Sequence, residues 1–129
     1  MHEPSPAPIS EPTISVDYQG SVTVARLVGE HDLSTSSCLF DLLTAQAGQD
    51  GVVVGLDEAT FIDSHIVRSL FLAHSQLRKS DTHLVIQSTP HAIVARVLEL
   101  TGLRAALPAA ETLEDALNQI RHLTSSVEN

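Results

Sequence analysis

The chain has 129 residues, enough for one domain with an ordinary hydrophobic core, and its formal net charge is −9. This acidity excludes the basic footprint of a nucleic-acid-binding protein, and a single cysteine excludes an internal disulfide. Residues 1–12 are polar and proline-rich, and no apolar run is long enough to cross a bilayer. We therefore expect a cytoplasmic protein with a flexible N-terminal tail over residues 1–12.

The first predicted elements form a β-hairpin. Ile14, Val16 and Tyr18 alternate with polar residues, and a second extended run over 22–28 follows a Gln-Gly turn. In the second run both sets of alternate positions are largely apolar. This pattern predicts a strand that lies inside the sheet, with a neighbour on each side.

A helix is predicted next, with a serine or threonine of the run 34–37 as its N-cap and Gly48 after its end. Cys38 lies near the apolar stripe, where we expect it to be a small buried residue. The strand that follows should be parallel to the hairpin's second strand, joined to it by a right-handed crossover.

The stretch 52–65 is read as one buried strand that delivers Asp63 and Ser64 to the start of a helix, since its apolar run shows no alternation. Ser64 has two interpretations at this point. It either caps the helix with its side chain or presents a hydroxyl that receives a phosphate beside the positive end of the helix dipole. His74, on the apolar stripe of this helix, is expected to be a hydrogen-bonded core residue.

The second half of the chain also alternates predicted strands and helices. A short buried strand over 84–86 precedes a helix for which Ser88-Thr89 supplies the cap residue and Pro90 the first position, and Gly102 follows its end. A brief edge strand is predicted over 105–107. Thr112 then caps a last amphipathic helix that runs through Leu123.

The predicted fold is a single α/β domain over residues 13–124, followed by a frayed C-terminus over 125–129. Its mixed sheet should contain about four to five strands, and about four helices should pack largely on one face.

Three motifs are distinctive: Gly29-Glu30-His31-Asp32, Leu56-Asp57 followed by Phe61-Ile62-Asp63-Ser64, and Val97-Leu98-Glu99-Leu100-Thr101-Gly102-Leu103. In this order they resemble the motifs of the STAS domain, the module of sulphate transporters and bacterial anti-sigma factor antagonists, over roughly residues 14–123. The resemblance is to stand-alone members. It implies that Ser64 is the phosphorylation target of a serine kinase that is itself the anti-sigma factor.

The residues after Ser64 depart from the family pattern, which usually continues with Ser or Thr and then Gly. Here Ile66 and Arg68 are expected to fill the space that a partner's backbone approaches, which reshapes the docking surface. The predicted partner-binding residues are Asp32, Asp63, Ser64, His65, Ile66 and Arg68.

Acidic residues surround the predicted phosphosite in sequence. Asp57, Glu58 and Asp63 are expected to make its neighbourhood acidic, so that a phosphate would repel an acidic or closely packed partner. Asp32 and Asp63 have two open interpretations each, as helix caps or as contacts to the partner.

No enzyme motif is present: the sequence lacks a Gly-rich phosphate loop, a Gly-x-Ser-x-Gly elbow and a His-Glu-x-x-His pair. We therefore expect neither catalysis nor a cofactor. His31, His65 and His91 each follow a different predicted strand, so they are candidates for a metal or pH-responsive site at the carboxyl edge of the sheet, the alternative being solvated loop histidines.

The first functional hypothesis is an anti-sigma factor antagonist that binds an anti-sigma factor or related serine kinase and is switched by phosphorylation of Ser64. The alternative is a STAS scaffold or ligand-binding module without a phosphoswitch, such as a transport-system subunit or a nucleotide or lipid binder.

Overall fold

The computed structural model describes residues 12–128, and their side chains as far as Ser125. The predicted tail lies outside this part of the chain, apart from Pro12. The strands are β1 Thr13–Gln19, β2 Val22–His31, β3 Gly51–Gly55, β4 Ala59–Ile62, β5 His83–Gln87 and β6 Ala109–Ala110. The helices are α1 Leu33–Thr44, α2 Ser64–Arg78, α3 Ala95–Leu100, α4 Leu103–Ala106 and α5 Leu113–Glu128.

These strands form one mixed sheet in the order β1-β2-β3-β5-β6, with β4 paired only to β2. β1 and β2 are antiparallel, whereas every other pair is parallel. The predicted hairpin, the internal position of β2 and the parallel crossover from β2 through α1 to β3 are therefore confirmed.

Helices cover both faces of the sheet. One face carries α1, α2, α3 and α4, and the sheet residues buried beneath them include Ala25, Leu27, Val52, Val54, Leu84 and Ile86. The opposite face carries α5, which buries Val22, Val24, Val53 and Val85. The α/β prediction with about four helices on one face is confirmed, and α5 is an additional layer on the other face.

The predicted continuous strand over 52–62 is divided into β3 and β4 by a turn at Asp57 and Glu58. The cause lies in β2, where the register shifts between Gly29 and Glu30 and Gly29 has a φ of +88°. Glycine adopts this conformation without steric cost, and the irregularity lets the end of β2 pair with a second parallel strand. β4 therefore lies beside the last residues of β2.

The helix predicted from Pro90 starts later. Ser88 donates its hydroxyl to the carbonyl of Thr89, residues 90–94 form turns, and α3 begins at Ala95. Gly102 follows the C-cap with a φ of +73°, as predicted for a residue just past a helix end.

The edge strand predicted over 105–107 lies a few residues later in the chain. Residues predicted as strand lie largely in α4, because the buried Leu103 draws this segment onto the core. The strand is β6, which pairs with the end of β5.

The last helix begins as predicted, since the hydroxyl of Thr112 accepts from the backbone N–H of Asp115 at 3.0 Å. It continues to Glu128, five residues beyond Leu123 and through most of the segment predicted to fray. Within residues 12–128, no helix combines the length and apolar character needed to span a bilayer.

Candidate functional site

The two long helices on the same face begin side by side. His31 at the end of β2 pairs with Ile62 at the end of β4, and an aspartate follows each of them. Asp32 and Asp63 are the N-caps of α1 and α2. The site is therefore built by a nonlocal strand pair that brings two acid-capped helix N-termini together.

Asp63 performs the capping that the sequence left open for Ser64. One carboxylate oxygen, Oδ1, accepts from the N–H groups of His65 at 2.9 Å and Ile66 at 3.2 Å. An N-cap acceptor must precede the helix to reach these N–H groups, and Ser64 stands one position too late. The capping interpretation of Ser64 is therefore wrong.

Ser64 is the first residue of α2 and is exposed. Its hydroxyl makes no hydrogen bond to any residue within 12–128. A hydroxyl with no structural partner, held at the end of a rigid strand and the start of a helix, is accessible to a modifying enzyme without unfolding.

At α1 the predicted serine and threonine caps are likewise replaced by an aspartate. Asp32 accepts from both the N–H of Ser34, at 2.9 Å, and its hydroxyl, at 2.7 Å. The Ser34 hydroxyl, together with its backbone N–H, lowers the pKa of Asp32 below its usual value. Asp32 is therefore an exposed carboxylate in its charged form near neutral pH.

Two of the predicted partner-binding residues after Ser64 are on the surface. His65 has half of its side chain exposed, and its Nδ1 lies 3.3 Å from a carboxylate oxygen of Asp63. Arg68 is exposed and forms no ion pair with any residue of the described part. It stands four residues after Ser64, so the two side chains are neighbours on the helix surface.

The prediction that Ile66 contacts a partner is wrong. Its side chain is completely buried and belongs to the core beneath α1 and α2. The apolar spacing of α2 directs this position toward the sheet, so its bulk does not fill the space outside Ser64. Of the two departures from the family pattern, only Arg68 alters the exposed surface.

A groove of about 280 Å³ runs between α1 and α2 next to Ser64. The helices are joined beneath it by a hydrogen bond from the Ser69 hydroxyl to the carbonyl of Ser36, at 3.1 Å. We call it the α1–α2 groove, and its lining residues are Ser36, Ser37, Phe40, His65, Arg68, Ser69 and Leu72.

Sequence reasoning missed the exposed apolar residues of this region. Leu72 in the groove is 48% exposed, and Leu33 and Phe61 are also exposed. Leu72 lies outside the apolar stripe of α2, so the helical spacing in the sequence already indicates that its side chain is exposed. The sequence did not indicate the exposure of Phe61, because this exposure follows from the separation of β4 from β3.

The three-histidine site is not formed. His31 is buried, and its Nε2 lies 3.1 Å from the carbonyl oxygens of Thr13 and Val28. Because both are acceptors, Nε2 carries a proton, and Nδ1 lies 3.1 Å from the Thr35 hydroxyl oxygen. Within residues 12–128, no three His, Cys, Asp or Glu side chains are placed to hold a metal ion.

Asp57 is committed to another region. Its carboxylate accepts from the N–H of Thr89 at 2.8 Å and from the side-chain amide of Gln87 at 3.0 Å. It ties the β3–β4 turn to the end of β5. The carboxylates at the two adjacent helix starts are therefore those of the caps Asp63 and Asp32.

Two further expectations about α1 and α2 are wrong. Cys38 is exposed, because it lies beside the buried stripe of α1 and not on it. His74 has a buried Nδ1 without a hydrogen-bond partner among the described residues, and burial lowers its pKa below the usual value.

Comparison with solved structures finds the same fold. A crystal structure of an anti-sigma factor antagonist from Mycobacterium paratuberculosis has 26% sequence identity and a TM-score of 0.72, covering 86% of this chain and 95% of that one. The anti-sigma factor antagonist SpoIIAA in its unphosphorylated form has 17% identity and a TM-score of 0.70, covering 85% and 97%.

A sulfate transporter family protein from Wolinella succinogenes has 16% identity and a TM-score of 0.67, covering 81% of this chain and 88% of that one. No curated protein matches the sequence. The STAS domain family model matches residues 13–116. The chain therefore belongs to the STAS domain family.

Proposed function

We propose that this chain is an anti-sigma factor antagonist that binds an anti-sigma factor or related serine kinase and is switched by phosphorylation of Ser64. The observation that carries the proposal is the exposed hydroxyl of Ser64, which has no hydrogen-bond partner among residues 12–128 and lies next to an aspartate that already caps the helix. The similarity to the Mycobacterium paratuberculosis antagonist supports the class of partner.

The proposed partner surface surrounds Ser64 and includes Asp32, Asp63, His65 and Arg68. The α1–α2 groove, with the half-exposed Leu72, adds apolar contact area beside these charged groups. An apolar patch rimmed by polar residues is typical of a protein interface. Ile66 is not part of this surface.

The fold should tolerate a phosphate on Ser64. The first turn of a helix carries a partial positive charge, and the Arg68 guanidinium lies one turn away on the same helix surface. Arg68 therefore provides a counter-charge for phosphoserine, and it can do so without breaking an ion pair within the described residues. The arginine that departs from the family pattern thus gains a role in the phosphorylated state.

The partner should not tolerate it. Phosphorylation adds roughly 1.5 to 2 negative charges and a bulky tetrahedral group beside the carboxylate of Asp63. An interface that fits closely around an unmodified hydroxyl has no room for this group, and the added charge repels an acidic partner surface. Phosphorylation therefore releases the partner.

This chain would be only the phosphoryl acceptor. A nucleoside triphosphate bound to the partner kinase would supply its γ-phosphoryl group. The Ser64 oxygen would form the new P–O bond as the bond to the β-phosphate oxygen breaks, the nucleoside diphosphate would leave, and the hydroxyl proton would pass to a base of the kinase.

The proposal is tested by capture of partner proteins from the native cell. Wild type should retain a serine kinase, whereas Ser64→Asp should lose it by about tenfold or more. Ser75→Asp is a matched control on the exposed surface of α2 and should capture the kinase like wild type. Equal capture by wild type and Ser64→Asp would contradict the switch and favour a STAS scaffold.

The role of Arg68 has its own test. In the phosphorylated protein, Arg68→Gln should raise the second pKa of phosphoserine, because a nearby guanidinium favours the doubly charged phosphate. Phosphorus NMR titration measures this pKa, and Arg96→Gln, on the exposed surface of α3, is the control. An unchanged pKa in Arg68→Gln would remove Arg68 from the proposal.

A further inference from the structure

A second polar feature lies on the other face of the sheet, beyond the part that α5 covers. Arg26, Gly55 and Gln87 are paired across β2, β3 and β5, two residues after the row of Val24, Val53 and Val85. The valine row is buried under α5, whereas the next row borders a cavity of about 150 Å³. We call this cavity the Gly55 slot, and its lining residues are Arg26, Gly55, Asp57, Glu58 and Gln87.

Gly55 forms the floor of the slot. Its φ is not positive, so its backbone conformation is available to any residue. A Cβ at this position would lie 3.3 Å from both the Arg26 Cγ and the Gln87 Oε1. The missing side chain therefore creates space between two long polar side chains in the middle of the sheet.

Gln87 presents a fixed acceptor to this space. The residue is 9% exposed, and its Nε2 donates to a carboxylate oxygen of Asp57 at 3.0 Å and to the carbonyl of Glu111 at 2.8 Å. Both amide hydrogens are used, so the orientation of the side chain is set and Oε1 faces Gly55. Within residues 12–128, nothing donates to Oε1, so this acceptor is open to a donor that enters the slot.

The slot also carries one cationic and two acidic side chains. Arg26 uses one nitrogen, Nη1, in an ion pair with Asp17 at 3.2 Å and keeps its other N–H groups. Glu58 is exposed and makes no side-chain hydrogen bond or ion pair in the described part of the chain, whereas both oxygens of Asp57 are occupied. The slot therefore offers a cation, a carboxylate and a neutral acceptor.

We propose that the Gly55 slot binds a small free α-amino acid as its zwitterion. The ligand's ammonium group donates to the Gln87 Oε1 and the Glu58 carboxylate, and its carboxylate accepts from the Arg26 guanidinium. The volume of the slot restricts the ligand to a small molecule. The site is independent of Ser64 and would operate whether or not that residue is phosphorylated.

Binding is measured by NMR titration of the full chain with glycine, alanine and serine at millimolar concentration. At least one should shift the backbone amide signals of Gly55 and Gln87. The N-acetyl and carboxamide derivatives of that amino acid, each lacking one charge, should bind about tenfold more weakly or worse. No shift with any of the three amino acids, or equal binding of the blocked derivatives, would overturn the proposal.

Variants assign the binding to the slot. Glu58→Gln and Arg26→Gln should each weaken binding by about tenfold. The matched controls Glu99→Gln and Arg96→Gln, both exposed on α3, should bind like wild type. Wild-type affinity in both slot variants would refute the assignment.

Ser64→Ala separates this proposal from the phosphoswitch. It should bind the amino acid with wild-type affinity, because the Gly55 slot does not include Ser64. Loss of binding in this variant would contradict the independence of the two sites, and failure of the slot variants would leave the phosphoswitch unaffected.

Discussion

The starts of α1 and α2 look alike in sequence and differ in what they expose. Each begins after an aspartate cap with a serine nearby, yet the Ser34 hydroxyl is bonded to Asp32 whereas the Ser64 hydroxyl has no partner in the described residues. Ser34 is the second residue of its helix and folds back onto the cap, whereas Ser64 is the first and cannot. A shift of one position decides whether a serine is structural or available.

The histidines at the two helix starts also differ in exposure. His31 before α1 is buried and hydrogen-bonded to β1, β2 and the first turn of the helix. His65 in α2 is half exposed, and its hydrogen-bond partner among the described residues is the cap carboxylate. His31 is therefore part of a structural junction before α1, whereas His65 lies on the surface of α2.

The largest expected effect is on phosphorylation. With the partner kinase and ATP, Ser64→Ala should lose the phosphate completely, whereas Ser34→Ala should accept it fully. Of these two hydroxyls, that of Ser34 is bonded to Asp32, whereas that of Ser64 has no hydrogen-bond partner within residues 12–128. Intact-mass measurement with peptide mapping reads the outcome. A phosphate found on Ser34 would contradict the proposed difference in availability between the two serines.

His31→Ala should lower the free energy of unfolding by about 2 kcal/mol, because it removes buried hydrogen bonds and leaves a cavity. His65→Ala, at the exposed start, should change it by less than about 0.5 kcal/mol. Urea unfolding followed by circular dichroism measures both. Equal losses would show that the two histidines do not differ as described.

Asp32→Ala and Asp63→Ala should each cost about 1 kcal/mol, the usual value for an N-cap. Asparagine at either position should restore most of the loss, since its side-chain oxygen accepts the same N–H bonds. Urea unfolding again gives the values. If Asp63→Ala costs nothing, the Asp63 carboxylate does not stabilise the start of α2 as described.

Ser34→Ala should raise the pKa of Asp32 toward its ordinary value of 3.8, because the main cause of the lowered pKa is the Ser34 hydroxyl. A carboxyl whose folded-state pKa is depressed contributes stability above its unfolded-state pKa and loses it as the pH falls through the folded value. This acid-dependent loss should therefore shrink in Ser34→Ala. NMR titration of Asp32 measures the shift, and Ser37→Ala is a control that should leave it unchanged.

Local patterns predicted most of the fold. Alternation identified the hairpin, and 3.6-residue spacing identified α2 and α5. The errors occur where distant contacts decide the outcome. β4 was not separated from β3 because its partner is the end of β2, about thirty residues earlier in the chain.

The sequence likewise predicted only part of the candidate site. Motif resemblance selected Ser64, Asp63 and Asp32, which the structure places at adjacent helix starts. The buried position of Ile66 and the exposed position of Leu72 follow from the face that α2 turns toward the sheet. Helical spacing predicts both positions once the apolar stripe of α2 is identified, but it does not predict the exposure of Phe61.

The sequence alone determined the hairpin, the alternation of strands and helices that follows it, and the absence of basic character, and its motifs around Ser64 indicated the family. Hydrophobic spacing acts over a few residues, so a linear pattern records it directly. Tertiary structure decided which acceptor caps each helix, that α1 and α2 start beside one another, and that Arg26, Gly55 and Gln87 share one row. These outcomes depend on strand register, which is set by competition among residues far apart in the chain.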